Sequence, residues 1–178
     1  MKVMILSDSH SMKKNDLLKI MASNDADYYI HCGDIYMPFN GLEKENFYHV
    51  RGNNDQKDSV EDLTLSIDGL QFYIVHGHLY HVDHGIQELE HYAKKHHIDV
   101  VCFGHTHQPF YQVKDNITYI NPGSVTYPRG TYRNPTYCLF DSQTKKSTFY
   151  DVKDNKICDP FMKNEKKSFS LFHFFKRK

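Results

Sequence analysis

Val3-Met4-Ile5-Leu6-Ser7-Asp8-Ser9-His10 is the stretch on which the fold turns. Four apolar residues make a short buried strand, and the chain leaves it directly into a carboxylate and an imidazole. Residues 11–23 follow with Met12, Leu17, Leu18, Ile20 and Met21 at helical spacing, and Asp27–Cys32 returns as a second strand. Asn46–Val50 is a third. This β-α-β order calls for a parallel or mixed sheet covered by helices.

Further along, Leu63–Ile67 and Leu70–Val75 flank Asp68-Gly69, a hairpin signal. A helix is expected from Gly85 to His96, with Ile86, Leu89, Tyr92 and Ala93 as its apolar stripe. Asp99–Phe103 reads as a short buried strand. Strands alone follow: Tyr111–Lys114 and Ile117–Asn121 about Asp115-Asn116, then Tyr137–Asp141 and Ser147–Val152. The expectation is an α/β protein of two packed sheets with helices outside.

Length and composition narrow the field. The chain has 178 residues, with 22 Lys and Arg against 22 Asp and Glu. One domain is expected, residues 1–152, with residues 153–178 as a basic C-terminal extension. That extension carries eight basic residues against three acidic ones and the apolar group Phe169, Leu171, Phe172, Phe174 and Phe175. A balanced charge gives no electrostatic footprint for a long nucleic acid. The tail is a candidate for membrane or partner contact. Cys32, Cys102, Cys138 and Cys158 form no CxxC pair, and the first three sit in apolar surroundings as buried thiols. No secretion signal is expected from the opening residues, and no stretch reaches about 20 apolar residues, the length of a membrane span. A cytoplasmic location is expected, and a homo-oligomer stays open.

Histidine is the unusual residue, at 13 of 178. Five short segments gather many of the histidines, and each follows a strand: Asp8-Ser9-His10, Gly33-Asp34, Gly52-Asn53-Asn54-Asp55, His76-Gly77-His78 and Gly104-His105-Thr106-His107. Ligands of open α/β sheets gather beyond the carboxyl ends of strands, so the five segments converge if the strands are neighbours. Carboxylates, an amide oxygen and imidazoles form a mixed oxygen and nitrogen set. Such a set suits manganese, iron, nickel or zinc better than calcium or magnesium. The glycines permit sharp turns and close backbone approach.

The five segments resemble the calcineurin-like metallophosphoesterases, whose pattern is Asp-x-His, Gly-Asp, Gly-Asn-x-Asp, a His, and Gly-His-x-His. All five blocks occur in order between Asp8 and His107, and Asn121-Pro122-Gly123-Ser124 points to the compact bacterial and archaeal phosphodiesterase branch. The resemblance spans about residues 1–150 and implies a four-layer αββα sandwich of two mixed sheets flanked by helices. It also implies two divalent metal ions, manganese first, with nickel, zinc, iron or magnesium as alternatives. One ion takes Asp8, His10, Asp34 and His107; the other takes Asp34, Asn53, His76 and His105. A bridging hydroxide then attacks a small phosphodiester in line, in a centre of net positive charge.

Around these ligands, Asp55 is expected to brace the turn. Asn54 stands at a position where many larger relatives keep a catalytic histidine, which leaves His78 as the candidate leaving-group acid. The resemblance also places the loop holding Ser124 and Arg129 near substrate phosphate. Two other readings stay open: a phosphomonoesterase or nuclease on the same centre, and a non-catalytic protein-binding scaffold of the same fold.

Overall fold

The computed structural model describes residues 1–36, 45–56 and 59–162. Eleven strands and two α-helices are assigned among them: β1 Lys2–Leu6, α1 Lys14–Met21, β2 Tyr28–His31, β3 Phe47–His49, β4 Asp62–Ile67, β5 Leu70–Val75, α2 Gln87–Lys95, β6 Val100–Cys102, β7 Pro109–Lys114, β8 Ile117–Pro122, β9 Thr136–Asp141, β10 Lys146–Asp151 and β11 Ile157–Cys158. Two 3-10 turns, His78–Tyr80 and Val82–His84, lead into α2.

The strands form two mixed sheets. The first has the order β11-β10-β9-β1-β2-β3, and the second has β4-β5-β6-β8-β7. In the first sheet β1, β2 and β3 run parallel, while β9, β10 and β11 add antiparallel pairings. In the second, β5, β6 and β8 run parallel between antiparallel edges β4 and β7. Each sheet therefore owns three parallel strands.

Side-chain alternation stacks these sheets. Along β1, Val3 and Ile5 face the second sheet, where they join Phe72, Ile74, Val100, Cys102 and Ile120 in one core. Met4 and Leu6 face the other way and pack with Leu17, Ile20 and Met21 of α1. Along β5, Phe72 and Ile74 point inward, while Tyr73 and Val75 meet Leu89 and Ala93 of α2. The alternation of side chains along each strand thus serves two cores at once and gives the helix-sheet-sheet-helix order. Fully burying a side chain such as Ile5 or Phe72 contributes about 1.5–3 kcal/mol.

Both hairpins close as expected. Asp68 and Gly69 have φ of 52° and 80°, and Asp115 and Asn116 have φ of 53° and 62°, the left-handed pair that a two-residue loop requires. Helix α1 is shorter than its apolar stripe: it begins only at Lys14, and Ser11 and Met12 lie in a turn. The sheet runs past residue 152, because Phe149 and Tyr150 pair with Cys158 and Ile157 of β11. Residues 163–178 of the expected extension, Phe169, Phe172, Phe174 and Phe175 included, lie outside the described residues. Among the described residues no helix is long and apolar enough to cross a membrane.

Candidate metal centre

All six parallel strands end at one rim. β1 leads to Asp8, β2 to Asp34, β3 to the Gly52 turn, β5 to His76, β6 to the Gly104 loop and β8 to Gly123. Backbone hydrogen bonds lace these exits together: Asp8 N–H donates to Gly33 O (3.1 Å), His10 N–H to Asp34 O (2.9 Å) and Gly104 N–H to His76 O (2.9 Å). Two glycines permit the close approach. Gly33 has φ +96°, and a Cβ there would meet Gly52 N and His76 Nδ1 at 2.8 Å; a Cβ on Gly52 would overlap the Asp34 carboxylate.

The backbone is bent to aim the side chains. Asp8, His10, Asp34, His105 and His107 all have positive φ, between 43° and 70°. Left-handed conformation costs a non-glycine residue roughly 1–2 kcal/mol. Five such residues in one rim mark the place where folding stability is exchanged for side-chain direction.

The aimed atoms converge. Asp8 Oδ1 lies 3.3 Å from His107 Nε2, 3.9 Å from His10 Nε2 and 4.0 Å from His76 Nε2. Asp34 Oδ2 lies 3.5 Å from His76 Nε2 and 3.8 Å from His10 Nε2. The Nε2 atoms of His10 and His107 are 3.1 Å apart. Two groups, Asp8-His10-His107 and Asp8-Asp34-His76, each offer ligand atoms within 4.8 Å of one another. Ligand atoms about 2.0–2.2 Å from a shared metal stand at comparable separations from each other.

The outward ring nitrogens fix the tautomers. His76 Nδ1 is 2.7 Å from the Cys32 carbonyl, and His107 Nδ1 is 2.7 Å from the Tyr127 carbonyl. A carbonyl only accepts, so each Nδ1 carries a proton and each Nε2 turns a lone pair inward when the ring is neutral. Asp8 Oδ1 and His76 Nε2 are buried with no hydrogen-bond partner. Buried polar atoms left without partners are costly, and a cation among them removes that cost. The donor set and the orphaned atoms together fit a divalent metal.

Electrostatics agree with that fit. Burial raises the Asp8 carboxyl, yet His107, His76 and Ser7 more than offset it and hold the pKa below the ordinary value. Burial likewise raises Asp34, and His76 and Asn54 pull it well down. His76 and His107 show the converse: burial lowers them, but the two carboxylates and the carbonyl partners lift them above the usual histidine value. In His10 burial wins over the pull of Asp34 and Asp8, and its pKa is lowered.

The remaining expected residues are placed unevenly. Asn53 is exposed, whereas Asn54 donates to Asp34 from its backbone N (2.9 Å) and its Nδ2 (2.7 Å). Asp55 bridges two loops, accepting from Gly52 N (2.9 Å) and Tyr36 N (2.8 Å). The His105 ring stands 5.2 Å from the His76 ring, and its Nε2 is 2.8 Å from Asp83 Oδ2. His78 lies 5.5 Å from His76, ring to ring; burial and the neighbouring imidazoles lower its pKa. Arg129 is exposed, and its N–H donates to His107 O (3.0 Å).

Ser124, expected on substrate phosphate, is fully buried. Its hydroxyl donates to Asp8 O (2.8 Å) and accepts from Thr126 N (3.1 Å) and Tyr127 N (2.7 Å). It shapes the Asp8 corner from beneath. Several participants carry no motif. Asp83 lies in a 3-10 turn, Ser7 donates to Asp8 Oδ2 (2.7 Å), and the Cys32 and Tyr127 carbonyls have no side-chain identity to read. Asn121, inside a motif already noted, donates to Gly104 O (2.7 Å) and steadies the histidine loop.

Comparison with known proteins agrees with this geometry. A family model described as the calcineurin-like phosphoesterase superfamily domain matches residues 1–145. The probable metallophosphoesterase YsnB of Bacillus subtilis is 32% identical over 164 residues, covering 89% of this chain and 96% of its own. A phosphodiesterase of Methanocaldococcus jannaschii is 31% identical over 168 residues, covering 82% and 96%. A Streptococcus pneumoniae protein described as a predicted phosphoesterase superposes with a TM-score of 0.77 at 25% identity, over 88% of this chain and 92% of that one. Vps29 of Entamoeba histolytica, solved with zinc, shares the fold with a TM-score of 0.71 at 17% identity, over 89% and 96%.

Proposed function

The chain belongs to the calcineurin-like phosphoesterase superfamily, and from that premise we propose that it hydrolyses small phosphodiesters with two divalent ions, manganese foremost. Asp8, His10, Asp34 and His107 would hold one ion; Asp34, Asn53, His76 and His105 would hold the other. The observation that carries this reading is the buried, unpartnered Asp8 Oδ1 facing three imidazole Nε2 atoms. Asp34 Oδ2, between His10 and His76, supports the bridging role. When bound, such ions supply positive charge for the phosphate oxygens and bring a water's pKa down toward about 7.

The protein's own part is orientation and charge. The Cys32 and Tyr127 carbonyls hold His76 and His107 in the tautomer that presents Nε2. Asn54 and Asp55 fix Asp34 and the Gly52 turn. Exposed Arg129 stands beside His107, where a guanidinium can take a phosphate oxygen. His78, whose ring stands 5.5 Å from the His76 ring, is the candidate acid for the leaving oxygen.

The test is hydrolysis of bis(p-nitrophenyl) phosphate and p-nitrophenyl phosphate by manganese-loaded protein, beside His76→Ala. The expected result is turnover with preference for the diester, lost in the variant. Preference for the monoester would overturn the substrate class, and equal activity of His76→Ala would overturn the ligand assignment.

A further inference from the structure

Two large aromatic side chains stand exposed at the mouth of the centre. Tyr36 is 58% and Tyr127 is 50% exposed. Their rings lie 5.7 Å and 5.6 Å from the ring of His10, tilted by 46° and 52°. Solvent-facing tyrosines are unremarkable when scattered, but here two flank one proposed metal ligand.

Both residues are anchored, Tyr36 through its backbone and Tyr127 through its backbone and hydroxyl. Tyr36 has φ +61°, an outlier for a bulky side chain, and the Asp55 carboxylate secures that turn by accepting its N–H (2.8 Å). Tyr127 is fixed at three points. Its N–H donates to Ser124 Oγ (2.7 Å), its carbonyl meets His107 Nδ1 (2.7 Å), and its hydroxyl pairs with Ser11 Oγ. Nothing in the folding of the core requires either ring at the surface. Positioned aromatic faces beside an anion site suit a ligand with a phosphate at one end and a flat π-system at the other.

We propose that Tyr36 and Tyr127 form an aromatic rim that binds the planar organic group of the substrate, so that the preferred esters are aryl or nucleoside phosphodiesters. This rests on the phosphoesterase reading above. The phosphate sits among the proposed ligands and Arg129, and the flat group lies on the rim next to His10. The rim acts on specificity: it distinguishes esters by their organic part and leaves the phosphorus chemistry alone.

Calorimetry with methylphosphonate and phenylphosphonate on the manganese-loaded protein tests this, because neither probe is cleaved and only the ring differs. The expected result is about tenfold tighter binding of phenylphosphonate. That ratio falls below about twofold in Tyr36→Asn combined with Tyr127→Ser, and survives in Tyr36→Phe. Asparagine tolerates the left-handed backbone, so the ring is removed without adding strain. Equal affinities in the wild type, or a ratio that outlives both substitutions, would overturn the rim while methylphosphonate binding leaves the anion site standing. Failure of both probes to bind would overturn the rim together with the phosphoesterase reading. Repeating the series with thymidine 5′-phosphate separates the sources: a further gain over phenylphosphonate assigns nucleosides, and no gain assigns flat groups in general.

Discussion

The inner and outer halves of the centre are built by different means. On the inner side Asp8 and His76 are fully buried and His107 nearly so, and backbone carbonyls hold the two imidazoles. On the outer side Asn53 is exposed, and His105 is held by the carboxylate of Asp83, whose side chain is 55% exposed. The inner half is set by strand ends that cannot move without breaking the sheets. The outer half depends on side chains that solvent can reach. The inner half should therefore set whether the protein works at all, and the outer half how tightly it holds its second ion.

The largest effect should come from the inner half. Replacing His76 by Ala should lower kcat/KM for a phosphodiester on the order of 10²–10³-fold, the scale of losing a preorganised charge contact. Steady-state kinetics in excess manganese checks this, and a loss below tenfold would put the two halves on equal terms. In the outer half, Asp83→Asn should weaken the second ion by about 10- to 100-fold, the scale of removing the partner that orients a ligand histidine. Metal titration reads this directly, and an unchanged second affinity would show His105 to be self-supporting.

Next comes pH. The raised His76 and His107 stabilise the metal-free protein fully below the ordinary histidine value of about 6.5, and that stability is lost as pH rises through their higher folded pKa. The lowered Asp8 and Asp34 contribute above about pH 4, and their contribution is lost as pH falls through the depressed values. His10, His31 and His78 work the other way: lowered by burial, they contribute above about pH 6.5 and lose that contribution as pH falls, so the metal-free melting temperature should peak near neutral pH. Manganese affinity should climb across the same rise in pH, by up to about tenfold per unit for each proton displaced. A metal-free optimum well on the alkaline side would contradict the raised His76 and His107.

The smallest effect separates neighbouring amides. Asn54→Ala removes a side-chain hydrogen bond to a carboxylate and should destabilise the metal-free protein by about 1.5 kcal/mol. Asn53→Ala should change that stability by less than about 0.5 kcal/mol, as an exposed position does, and yet weaken the outer ion. Denaturant unfolding with and without manganese distinguishes them.

Much of this was legible in the chain. The apolar run Val3–Leu6 foretold a strand buried on both faces, and Asp68-Gly69 and Asp115-Asn116 foretold their hairpins. The five segments fell at strand ends, as their glycines and polar residues required. What escaped was direction. Residue type does not say which of two adjacent asparagines turns toward Asp34, or that the Ser124 hydroxyl is consumed by Asp8 and its own turn. Nor does it register the Cys32 and Tyr127 carbonyls, because every residue owns one. Asp83 belongs to none of the five segments, and only tertiary packing brings it to His105. The short pairing of β11 was hidden because two residues are too few to show a period.

A pair of ions joined by Asp34 should be visible by anomalous diffraction from crystals of the manganese-loaded protein. Two peaks about 3.5–4 Å apart are expected, one against His10 and His107, the other against His76, with the Asp34 carboxylate reaching both. A single peak, or two peaks that Asp34 does not join, would contradict it.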